Sequence, residues 1–236
     1  MHPVEIGPGD FPPFSETPIT PRMRRSVLFR EIDILIDGGA NRGQYASWAR
    51  RCGFGGKIIS FEPEAESFRA LAASAGADDM WECHNLALGP SDGEVDLHVS
   101  RSSLGTSVLR PNEAHLRAWP DDLAVGIERV SMRSLSSLLP SLGCAGRNVY
   151  LKLDVEGFEL AVLEGAGLLL DCVTLLELEL SLICLYHGAP VFHDVLNFLT
   201  GRGFSIVALE QNHGDDRESG QMLMVDGIFR PTGVGG

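Results

Sequence analysis

Ile34-Leu35-Ile36-Asp37-Gly38-Gly39-Ala40-Asn41-Arg42-Gly43-Gln44-Tyr45 decides the fold. A short apolar run ends on an acid, three glycines fall within the next six residues, and Asn41 to Cys52 reads as a helix. A buried strand, a glycine turn and a helix start form the nucleotide-binding corner of an open α/β sheet. Lys57–Glu62 repeats the pattern: an apolar strand ends on an acid, and Pro63 stands where a helix N1 proline belongs. Glu64–Ala75 follows as a helix, with Phe68, Leu71 and Ala72 on one face and Gly76 as its stop. Trp81–Ala87 is the third strand. Strands and helices that alternate through short loops call for a parallel sheet with right-handed crossovers.

The alternation breaks over residues 90–145, which read as an insertion at the active edge. Within it Gly93–Val99 is a half-exposed strand, Arg101–Ser107 a loop and Asn112–Trp119 a helical turn. Glu128–Met132 is a short strand, and Ser134–Leu139 a short helix ended by Pro140. The buried-strand pattern resumes at Asn148–Asp154 and again at Val173–Glu179, with a helix over Gly157–Leu170 between them. Val191–Gly201 is an amphipathic helix, and Phe204–Leu209 and Gln221–Phe229 are the last strands. Residues 1–25 read as an extended arm before a domain of residues 26–236, with Pro21–Arg30 as a short lead-in helix.

The chain has 236 residues, 44% of them hydrophobic, which suits a single domain with a sizeable core. Its formal net charge is -13, so nucleic acid and anionic lipid are poor partners. Five scattered cysteines with no C-x-x-C pair argue against a disulfide framework or structural zinc, and a reducing cytoplasm is the expected compartment. Met1–Pro21 lacks the basic-then-apolar order of a secretory leader. Leu160–Leu185 is the most apolar later stretch, but Glu164, Asp171, Glu177 and Glu179 interrupt it, so no membrane span is expected.

Four expected strands end on acids: Asp37, Glu62, Asp154 and Glu179. Ligands of open α/β sheets bind outside the carboxyl ends of the strands. Acids gathered there suit a ligand with hydroxyls and positive charge. S-Adenosylmethionine has a ribose diol, a sulfonium and an ammonium. Glu62 would accept the ribose hydroxyls, and Asp37 and the glycine turn would face the methionine end. A dinucleotide fits less well. Ala40 replaces the second glycine of G-x-G-x-x-G, and Asp37 puts negative charge where phosphates would sit.

The sequence resembles the FkbM family of S-adenosylmethionine-dependent methyltransferases, largely O-methyltransferases of sugars and other metabolite hydroxyls. The matching segments are Asp37-Gly-Gly-Ala-Asn-Arg-Gly-Gln-Tyr-Ala, Ser60-Phe-Glu-Pro, Asn85-Leu-Ala-Leu-Gly, Leu151-Lys-Leu-Asp-Val-Glu-Gly-Phe-Glu and Val225-Asp-Gly-Ile-Phe-Arg. Gly38 departs from the family, where isoleucine or valine is usual. The resemblance implies a class I methyltransferase, Rossmann-like α/β sheet of seven strands, mostly parallel, with an antiparallel last strand.

On this reading Asp37, Gly39, Asn41, Gly43, Glu62 and Asn85 hold the cofactor, Asn85 against adenine. A hydroxyl acceptor needs a general base or a metal to take its proton. Asp154 and Glu156 would converge on the acceptor or on one divalent ion. Glu179 would bind the acceptor, and His187 is a candidate base. Lys152 would donate to Asp154 or hold an acidic partner. Glu177 alternates away from the site, and Glu159 reads as an exposed first-turn acid. The expected function is O-methylation of a small hydroxylated acceptor, a sugar or glycosylated metabolite. The alternatives are an N-methyltransferase, a nicotinamide oxidoreductase and a silent adenosyl-binding module.

Overall fold

The computed structural model describes residues 19–212, 214–216 and 219–233. Most of the expected arm lies outside these residues. Of the part inside, Thr20 is extended, but residues 21–25 belong to the expected lead-in helix, α1 (Pro21–Leu28), with Pro21 in its first turn and the Thr20 hydroxyl accepting the Met23 N–H at 3.3 Å.

Strand β1 (Ile34–Gly38) is buried at every residue. It pairs in parallel with β2 (Lys57–Phe61) on one side and with β7 (Val149–Leu153) on the other. Beyond β2 lies β3 (Trp81–His84), and beyond β7 lies β8 (Val173–Ser181). β10 (Met224–Pro231) runs antiparallel between β8 and β9 (Phe204–Gln211). The seven-stranded order is therefore β3-β2-β1-β7-β8-β10-β9, the expected class I sheet with one antiparallel strand.

Alternate residues of the central strands feed two cores. Ile34, Ile36, Ile59, Leu151 and Leu176 pack on one face, and Leu35, Ile58, Tyr150 and Leu175 on the other. That is why these strands read as unbroken apolar runs. α2 (Gln44–Arg51), α3 (Ala65–Ala75), α6 (Glu159–Glu164) and α7 (Phe192–Gly201) are the helices of the βα framework.

Residues 87–133 build a second sheet, β4 (Ala87–Leu88), β6 (Ala124–Arg133) and β5 (Gly93–Ser100), in that order. Ala87 thus leaves the expected third strand and joins this sheet. α4 (Glu113–Ala118) lies between β5 and β6, and α5 (Leu135–Leu142) follows β6.

Several expected boundaries move for local reasons. Asn41 (φ 47°) and Gly43 (φ 85°) are left-handed, so α2 starts at Gln44 rather than Asn41. Pro140 lies inside α5, and the helix runs on to a left-handed Gly143. The long helix expected over Gly157–Leu170 is split. Gly157 is left-handed at its start, and Gly167 is left-handed (φ 53°) where α6 gives way to a 3-10 turn.

α1 is fastened by charge. The Arg25 side chain, 2% exposed, donates to both oxygens of Glu177 on β8 and, at 2.9 Å, to Glu210 on β9. The hydroxyls of Tyr45 and Tyr150 also donate to Glu177. Against the expectation that it alternates away, Glu177 stands two residues before Glu179 on the same face of β8, where it is the buried hub of the α1 attachment. Replacing Arg25 with Ala leaves that carboxylate without its cation. We expect a loss of about 3–5 kcal/mol, read as a lower urea midpoint. A loss under about 1 kcal/mol would show that the ion pair does not hold α1 to the sheet.

Candidate active site

The chain goes from β1 to β2 on one side and returns to β7 on the other, so the sheet's switch point lies between β1 and β7. The two strands meet closely there. The Asp154 N–H donates to the Gly38 carbonyl at 3.0 Å. Gly39 is left-handed (φ 74°), and a Cβ on it would stand 1.8 Å from the Asp154 carbonyl oxygen. Only glycine serves at position 39.

A cleft opens beside this point, bordered by Gly39, Asn41, Glu62, Asp154 and Glu156, with Phe61, Leu86, Leu88 and Phe158 as an apolar bed. Glu62 ends β2 as expected and is 6% exposed. Its two oxygens accept the backbone N–H groups of Asn41 and Glu64, each at 2.8 Å. Burial outweighs these bonds and pushes its pKa up to about 7. The Asn41 side chain donates to the Ser103 carbonyl at 3.2 Å, which ties the glycine turn to the inserted loop.

Three expected cofactor residues are placed differently. Asp37 is fully buried and borders neither this cleft nor the next. Its carboxylate lies 3.3 Å from Lys152 Nζ and accepts the Ser60 hydroxyl at 3.4 Å. Asn85 is exposed, and its amide donates to the Glu62 and Pro63 carbonyls at 2.9 Å each. It fixes the loop that carries Glu62 and does not border the cleft. Gly43 caps α2 against Trp81, away from the cleft.

A second cleft adjoins the first and shares Asp154, Glu156 and Leu104 with it. Asp154, Glu156 and Glu179 converge there as expected, with one carboxylate oxygen of each within 4.8 Å of the others. Lys152 Nζ bridges Asp154 and Asp37 at 3.3 Å to each. Burial works against its charge, but Asp154 and Asp37 outweigh burial and hold its pKa above the ordinary value. Burial, then the Asp154 charge, raises Glu156 well above a normal carboxyl, and the same causes plus Glu156 raise Glu179.

Glu156 is held in a left-handed conformation (φ 55°). Tyr186 donates to its Oε2 at 2.6 Å, and the Ser107 hydroxyl donates to its carbonyl at 2.7 Å. Glu159 is 4% exposed rather than solvated, because its Oε1 accepts the Val155 and Gly157 N–H groups at 2.9 and 3.3 Å. It braces the turn that presents Glu156. His187 is exposed, borders neither cleft, and donates only its backbone N–H to the Arg110 carbonyl at 2.9 Å.

Sequence reasoning missed Tyr186, Asp226, His115 and Asp122 in this region. Asp226 carried a signal: it follows Val225 in the motif that closes the domain. The other three lie on loops and short helices without periodicity.

A model of the methyltransferase FkbM domain matches residues 37–206. No curated protein matches the chain. The crystal structure of methyltransferase FkbM from Methylobacillus flagellatus KT superposes with a TM-score of 0.52 at 15% identity, over 84% of this chain and 44% of that one. The chain therefore spans less than half of that protein. An rRNA methylase from Streptococcus thermophilus gives a TM-score of 0.49 at 10% identity, over 89% of this chain and 93% of that one. A putative RNA methyltransferase from Pyrococcus horikoshii gives 0.44 at 12%, over 89% and 81%. Among the described residues no helix is long and apolar enough to cross a membrane. The strand order, the glycine turn at the switch point and the match over most of the sheet agree: the chain belongs to the FkbM methyltransferase family, which implies S-adenosylmethionine as its cofactor.

Proposed function

We propose that the protein is an S-adenosylmethionine-dependent O-methyltransferase of a small hydroxylated acceptor, of the sugar or glycosylated-metabolite kind. The observation that carries this reading is the pair of adjoining clefts that share Asp154 and Glu156.

The first cleft fits the cofactor. It has a strand-end acid for a ribose diol, an apolar bed for adenine and a glycine that lets the backbone approach closely. Glu62 takes the ribose hydroxyls, with Asn41 holding Glu62 in place through its N–H. Asp37 acts through Lys152 rather than by contact. The cofactor supplies an electrophilic methyl group on a sulfonium.

In the second cleft Asp154 and Glu156 hold the acceptor hydroxyl at the shared boundary, and Glu156 takes its proton. Burial and the Asp154 charge make Glu156 a stronger base than an ordinary carboxylate. A neutral amine acceptor would need no such base, which favours a hydroxyl. The acids bordering this cleft disfavour a phosphate-bearing acceptor such as nucleic acid. A second reading rests on the 4.8 Å convergence, which would also let the same three carboxylates grip one divalent ion. Loss of activity in chelator and its return with magnesium would assign them to a metal instead.

Replacing Glu62 with Ala should weaken S-adenosylhomocysteine binding by about 1.5–3 kcal/mol, or about 10- to 150-fold, by calorimetry. Unchanged affinity would remove Glu62 from the ribose site.

Ribose hydroxyls favour the ionised form of Glu62, whose pKa in the free protein is about 7. Binding therefore draws off the proton, so affinity rises with pH through about 7 and levels off above it. Glu62→Gln should flatten that rise. A rise that persists in the variant would place the titrating group elsewhere.

Glu156→Gln should lower kcat by about 10²–10⁴-fold in a labelled-methyl assay over a hydroxylated acceptor panel. Retained turnover would shift the base to another group.

A further inference from the structure

The second cleft has a charge pattern that its place in methyl transfer does not require. Asp121, Asp122, Asp154, Glu156, Glu179 and Asp226 border it. No lysine or arginine does among the described residues. The cations nearby are already committed: Lys152 serves Asp37 and Asp154, and Arg25 serves Glu177 and Glu210.

The imbalance is sharpest across the β8–β10 pair. Glu179 and Asp226 stand directly opposite each other on antiparallel strands, an arrangement that is destabilising for like charges. Among the described residues, the neutral amide of Asn212 bridges them, donating to Glu179 at 3.2 Å and Asp226 at 3.5 Å. Burial, then Glu177 and Asp154, pushes Asp226 up to about 7. The Lys152 charge acts on Asp226 but is outweighed, and among the described residues neither Glu179 nor Asp226 has an ion-pair partner.

Two other features of the cleft point to an organic ligand. His115 is 2% exposed, gives its Nε2 to Asp122 at 3.0 Å, and leaves its Nδ1 without a hydrogen-bond partner. Trp119, half-buried at the end of α4, forms part of the same wall, and an indole ring suits both a sugar face and a cation.

We propose that the acceptor carries an ammonium group as well as the hydroxyl to be methylated, as an amino sugar does, and that Glu179 and Asp226 seat this ammonium. The proposal rests on the methyltransferase reading, since it makes the second cleft the acceptor site. The ammonium is a binding handle. The hydroxyl stays at Asp154 and Glu156, whose carboxylates come within 4.8 Å of that of Glu179, so the two groups are neighbours on the acceptor, as on adjacent ring carbons of an amino sugar.

The test compares glucosamine with N-acetylglucosamine, which has the same ring but no cation. Affinities are read by ligand-observed NMR on the full chain, with and without saturating S-adenosylhomocysteine. We expect glucosamine to bind at least tenfold more tightly. Glu179→Gln and Asp226→Asn should each reduce the preference to about twofold or less. S-Adenosylhomocysteine binding by each variant shows that it is folded, because neither residue borders the first cleft.

Equal affinities, tighter binding of the acetylated sugar, binding of neither sugar, or a preference that survives both substitutions overturns the proposal. So does magnesium binding that both substitutions abolish while the two sugars bind alike, which gives the acids to a metal. If the wild-type protein does not bind S-adenosylhomocysteine, the cofactor reading fails. The sugar comparison made without it still decides the ammonium.

Discussion

The Lys152 ammonium, 3.3 Å from both Asp37 and Asp154, is the contact on which the site's geometry depends. It joins the carboxyl ends of β1 and β7, the two strands that flank the switch point. Asp37 is fully buried, and burial alone would drive its carboxyl toward the neutral form. The Lys152 charge opposes that shift. The Tyr45 ring lies 5.1 Å from the same ammonium and closes its α2 side. Without the lysine, two strand-end carboxylates would share a dry corner with no cation, and the close approach of Gly39 to the Asp154 carbonyl would lose its anchor. The acid that looked like a ligand contact in the sequence thus serves by holding the corner shut.

Charge is unevenly compensated along the edge of the sheet, and the unevenness divides structure from function. On the α1 side, Glu177 is met by Arg25 and two tyrosine hydroxyls, so it is fully satisfied and inert. Two residues further along β8, Glu179 has an amide and three acidic neighbours, Asp154, Glu156 and Asp226. One face of one strand therefore presents one acid to a built ion pair and the next, nearer the strand's carboxyl end, to an open cleft. A fold gains nothing from the second arrangement, so a ligand is its physical justification.

The sheet was legible because its central strands are covered on both faces. That gives runs such as Ile34–Ile36 and Tyr150–Leu153 with no polar interruption except functional ones. The place of Glu62 at the cleft was legible because a strand end after a glycine turn is a position that pattern alone defines. The roles of Asp37 and Asn85 were not. Whether a strand-end acid meets solvent or a lysine depends on the residue beside it in the sheet, here Lys152 opposite Asp37. Asn85 looked like a ring contact because it ends a strand, but the chain leaves β3 there for another sheet, and its amide is used on the backbone. Glu159 and Tyr186 were out of reach for a related reason. Each acts on the turn at Glu156 through hydrogen bonds that only the folded loop creates.

Backbone strain marks the same place as charge does. Among the described residues, the non-glycine residues with left-handed φ are Asn41, Ser103 and Glu156, and all three border the first cleft. Each such conformation costs of the order of 1–3 kcal/mol and persists only where its surroundings over-determine it. Here they do. Asn41 is held by Glu62 on its N–H and by Ser103 on its amide, and Glu156 by Tyr186 and Ser107. Glu62 and Glu156 come from β2 and from the turn after β7, on either side of β1, and the Asn41–Ser103 bond links the glycine turn to the insertion. The strained residues and their braces thus form one connected rim around the cleft. A rim fixed before any ligand arrives loses little further conformational entropy on binding, which is how a site aligns two reactants whose reaction is a direct displacement.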